Sequence, residues 1–103
     1  MTFSTTPYVR LDVTVPPTTL ATWKRAQRLA PLQMHWVAIL AVKPVSNGNV
    51  RVSMAVEPRI YDHCSSHNGP QLVGSNIAAL LNAEAASIHR HYQHSRTAWK
   101  VSP

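Results

Sequence analysis

Acidic side chains are scarce in this chain. Asp12, Glu57, Asp62 and Glu84 stand against ten Lys and Arg, which leaves a formal charge of +6 at pH 7 with histidine neutral. The four carboxylates fall on four separate stretches of sequence, which excludes paired-carboxylate acid/base chemistry. The cationic excess favours an anionic partner, either nucleic acid or an acidic protein surface. One cysteine, Cys64, excludes an internal disulfide. The glycines Gly48, Gly69 and Gly74 lack the spacing of a phosphate-cradling loop. Long apolar runs are missing too, and the strongest, residues 37–42, is far too short to cross a bilayer. The opening MTFSTTPYVRLDV carries neither the basic start nor the apolar stretch of a signal peptide, so a cytoplasmic setting is expected.

What is present suffices for one domain. A chain of 103 residues with 45% apolar content closes a single core, so residues 1–103 are expected to fold as one unit. Val9, Leu11, Val13 and Val15 alternate with Tyr8, Arg10, Asp12 and Thr14, the period-two pattern of a half-buried strand. Pro16-Pro17 stops it, and Thr18 or Thr19 can cap a helix running to about Ala30, where Pro31 prevents continuation. Leu20, Trp23, Gln27 and Ala30 lie along one side of that helix, and Lys24, Arg25 and Arg28 along the other.

Residues 34–45 and 50–57 flank Asn47-Gly48, which supplies the positive φ angles of a tight hairpin turn. With those two residues at the centre, Val45 faces Val50, Ala41 faces Met54 and Ile39 faces Val56 on the core side. The other side collects Trp36, Ala38, Leu40 and Val42 with Arg51, Ser53, Ala55 and Glu57. Between Pro58 and Pro70 the composition reads as a polar loop. Ser75 can then cap a helix from 76 to about 92, with Ile77, Leu81, Ala85, Ile88 and Tyr92 as its apolar stripe. Thr97, Trp99 and Val101 alternate with Ala98, Lys100 and Ser102 as a last strand. The expected fold is therefore α+β and ferredoxin-like, β-α-β-β-α-β, with a four-stranded antiparallel sheet carrying two helices on one face.

Two surfaces could meet phosphates. One is the outer face of the first helix, where Lys24, Arg25 and Arg28 sit at spacings of three and four and Arg90 and Arg96 could extend the patch. The other is the uncovered sheet face, where Tyr8 and Trp36 would lie near Arg10, Arg51 and Lys100 and rings could stack on bases. The third strand reads NVRVSMAV and lacks the aromatic motif of an RNA-recognition module, which excludes that family. A second copy covering the apolar half of the same sheet face would instead make a homodimer.

The histidines are less telling. His63, Cys64 and His67 form H-C-x-x-H, and His89, His91 and His94 crowd the end of the second helix, but no regular zinc-finger spacing appears and no metal is expected. Cys64 next to His63 holds the residue types of a thiolate–imidazole pair, although neighbours in an extended loop point apart. The Tyr92 of His89-Arg90-His91-Tyr92 evokes a nicking endonuclease, but Arg90 and the helical setting break the match.

The segment Tyr8-Val9-Arg10-Leu11-Asp12-Val13-Thr14-Val15-Pro16-Pro17 is similar to the first strand of muconolactone isomerases, which are ferredoxin-like oligomers. That resemblance implies a dimeric α+β-barrel enzyme with a small pocket between sheet and helices, and it carries no catalytic residue to this chain. The hairpin WVAILAVKPVSNGNVRVSMAVEP after a basic helix looks like a stretch of small RNA-virus coat proteins, which implies a viral or phage structural protein; those are jelly rolls with more strands than this chain supplies. The charge balance puts a non-enzymatic, cofactor-free basic module that binds nucleic acid, or an acidic protein surface, ahead of both.

Overall fold

The computed structural model describes residues 8–68 and 72–101, apart from the side chains of 66–68 and 94–101. Strand β1 (Val9–Val15) leads into helix α1 (Pro17–Leu29), followed by β2 (Val37–Pro44), β3 (Val50–Val56), α2 (Pro58–Asn68) and α3 (Val73–Val101). β3 lies between β1 and β2 and is antiparallel to both, so β1 and β2 run parallel with α1 connecting them.

The expected four-stranded ferredoxin-like fold is overturned. The sheet has three strands, and among the described residues the order is β-α-β-β-α-α within a mixed α+β class. Residues 97–101, expected as the last strand, continue α3. No proline or glycine interrupts the chain between Ser75 and Ser102, and over a few residues alternation alone does not separate strand from helix. The expected polar loop after Pro58 is α2 instead. Proline is well placed to open a helix because it lacks an N–H that the first turn would leave without a partner anyway. Ile60, Tyr61 and Cys64, at helical spacing, then pack on the core, with Cys64 itself buried.

α1 uses the same device. Pro16 is extended (φ −62°, ψ 150°) and Pro17 opens the helix, so the expected Thr cap is absent and the Pro16 carbonyl accepts the N–H groups of Thr19 and Leu20. Leu20, Trp23 and Ala26 face the core, and the Gln27 side chain donates to the Val37 carbonyl at 3.0 Å, pinning the helix to the start of β2. Trp23 is fully buried and its indole N–H donates to Asn82 Oδ1 of α3 at 2.8 Å. Ile77, Leu81, Ala85 and Ile88 bring α3 into the same core, against Val52, Met54 and Val56 of the central strand. At the start of α3, a Cβ on Gly74 would meet Val13 Cγ1 at 3.4 Å, so the helix lies close against β1.

The hairpin departs from the expected register. Asn47 and Gly48 do take positive φ angles (67° and 75°), but within a longer loop closed by the Val45 N–H donating to the Asn49 carbonyl at 3.0 Å. Pro44, not Val45, therefore faces Val50. A one-residue slip exchanges the two faces of a strand. A bulge at Leu40 restores the phase, so Ile39 faces Met54 and Val37 faces Val56 on the core side. Among the described residues no helix is long and apolar enough to cross a membrane.

Candidate nucleic-acid interface

Burying Leu20, Trp23 and Ala26 fixes the orientation of α1 and leaves Lys24, Arg25 and Arg28 exposed. None of the chain's acids lies on this helix. An acid–base ion pair joins His35 Nε2 to Glu57 Oε2 at 3.5 Å, and it takes in none of the three cations. The three cations thus share one surface without a carboxylate to neutralise them.

Two of the other expected site residues, Arg10 and Arg51, lie across the sheet from that surface. The helices cover the face bearing Val15, Val52, Met54 and Val56, and the opposite face carries three cross-strand rows: Arg10–Ala55–Ala38, Asp12–Ser53–Ala41 and Thr14–Arg51–Lys43. Arg10 and Arg51 are exposed in the outer rows, with Asp12 between them. Trp36 does not join them. It precedes β2 in a turn, where strand alternation does not apply, and at 6% exposure it belongs to the core. Its ring is therefore unavailable for stacking on a base. Lys100 lies on α3 rather than on a strand, and its side chain lies outside the described residues, as does that of Arg96.

Helix packing creates one feature that the sequence does not announce. Where α1 passes the later part of α3, a cleft of about 320 Å³ is lined by Ala21, Thr22 and Arg25 on one side and His89, Tyr92 and Gln93 on the other. His89 Nε2 lies 3.3 Å from the Thr22 carbonyl, and because a carbonyl only accepts, that nitrogen carries the proton. Tyr92, expected in the apolar stripe, is 37% exposed and also borders a second cleft of about 370 Å³ with Leu29, Ala30 and His91. The residue types were visible in the sequence, but their meeting depends on how two helices separated along the chain by β2, β3 and α2 cross.

Within the cysteine–histidine motif, Cys64 is placed as a core residue. Cys64 is 5% exposed, and burial pushes its thiol up from the ordinary range, disfavouring the thiolate that a nucleophile or a zinc ligand needs. No group of three or more His, Cys, Asp or Glu among the described residues is arranged to hold a metal. A thiol reagent is expected to leave Cys64 unmodified in the native protein and to react fully in urea, and prompt labelling without denaturant would contradict this burial. Because the folded thiol titrates later than the unfolded one, its contribution to stability is complete below about pH 8.5 and is lost as the pH rises through the folded value.

Compared with protein-family models, curated proteins and solved structures, the chain finds no significant match.

Proposed function

We propose that this chain is a small, basic, non-enzymatic module that binds nucleic acid without sequence preference, with the outer face of α1 meeting the phosphates. The observation that carries the reading is the exposed, acid-free stripe of Lys24, Arg25 and Arg28 in a chain of net charge +6. Phosphate contacts of this kind supply affinity but no base readout, and each counterion they displace makes binding salt-dependent. Arg10 and Arg51, on the far side of the sheet, belong to a second and weaker patch because Asp12 stands between them. The uncovered sheet face, with Ala38, Ala41 and the exposed Leu40, is where a second copy would sit if the module works as a homodimer.

The test is a salt titration of oligonucleotide binding. Wild-type protein should bind at low salt with log K falling steeply against log salt. The K24A/R25A/R28A variant should bind more weakly, with a slope shallower by about 2 to 3, close to one unit per contact removed. Equal slopes for the two proteins would remove α1 as the site. Binding to an acidic protein surface, with none to nucleic acid at low salt, would overturn the reading.

A further inference from the structure

The geometry points to single-stranded nucleic acid as the form bound, with one unstacked base seated against Tyr92 in the α1–α3 cleft and its phosphate on Arg25. This rests on the nucleic-acid reading above and narrows it. The cleft of about 320 Å³ stands at the lower end of the ~300–1,000 Å³ typical of small-ligand sites, so it has room for one nucleotide-sized group. Its lining joins three chemistries. Arg25 offers a planar fork that matches phosphate oxygens. Tyr92 presents a partly exposed aromatic wall that borders the clefts on both of its sides. The His89 ring, whose Nε2 donates to the Thr22 carbonyl, presents Nδ1 as a polar edge of the kind that accepts from a base or a sugar hydroxyl.

Inorganic phosphate would use Arg25 and leave the aromatic wall without a role. A duplex would meet the cations of α1, but its bases are already stacked on one another and cannot bring a face to Tyr92. A single strand uses both. The outer cations Lys24 and Arg28, on the same helix as Arg25, lie where flanking phosphates would run.

Fluorescence anisotropy with labelled oligo-U, oligo-dT and a duplex of equal length at low salt tests the assignment. The single strands are expected to bind at least about fivefold tighter than the duplex. Tyr92→Ala should weaken single-strand binding by about five- to one-hundredfold, with a smaller loss for duplex, while Tyr92→Phe retains the wild-type affinity. K24A/R28A should weaken single strand and duplex alike. A denaturation midpoint for Tyr92→Ala that stays well above the assay conditions separates lost binding from lost folding. Equal affinity for single strand and duplex, or full single-strand affinity in Tyr92→Ala, overturns the cleft assignment and leaves the α1 reading standing. No binding of either form at low salt overturns both.

Discussion

Trp23→Ala is expected to destabilise the protein by about 3–5 kcal/mol, read as a lower urea midpoint at unchanged slope. Trp23 is fully buried at the meeting of α1 with α3, and alanine there leaves a cavity that the flanking backbone cannot fill by collapsing. It also removes the donor to Asn82 Oδ1, although that amide retains access to water and needs no other partner. A domain of this size has a stability on the order of 5–15 kcal/mol, so the variant should sit close to unfolding at 37 °C. Trp23→Phe keeps most of the ring and should cost much less. An alanine variant with the wild-type midpoint would mean that α1 does not pack as described.

Leu81→Ala should follow, at about 2–5 kcal/mol by the same measurement. Leu81 is 2% exposed and lies one helical turn from Ile77, with Ala85 one turn further on, so its truncation opens the centre of the stripe that holds α3 to the sheet. Tyr92, on the same stripe but partly exposed, should cost only a fraction of that when replaced by alanine. Comparable losses at the two positions would mean that α3 is held along its whole length, with the Tyr92 cleft closed.

The elements with strong period were legible in the sequence. Leu11, Val13 and Val15 of the first alternation, the Leu20/Trp23 side of α1 and the Ile77–Leu81–Ala85–Ile88 stripe all lie in or against the core where the pattern put them, whereas Val9 stays at its margin. What the sequence concealed was set by context. Ile60, Tyr61 and Cys64 are too few among polar neighbours to reveal a helix until α3 and the sheet give them a surface to cover. The hairpin register depended on loop length, which Asn47-Gly48 does not fix, and the bulge at Leu40 then offset the slip. The exposure of Lys24, Arg25 and Arg28 was legible because burial of one helix face dictates exposure of the other. Trp36 was misplaced because strand alternation was extended into a turn.

With β3 in the middle, the sheet ends on β1 and β2, and a naked rim invites a foreign strand to zip on. Neither rim here is a good template. The start of α3 crowds β1, with Gly74, Ser75 and Ala78 beside the stretch from Asp12 to Val15. Along β2 the bulge breaks the ladder spacing at Leu40 and Pro44 offers no N–H, so an incoming chain finds matched donors and acceptors over only a few consecutive residues. The irregularity that shifts the hairpin register thereby also guards a small, cationic protein against fibre-like growth.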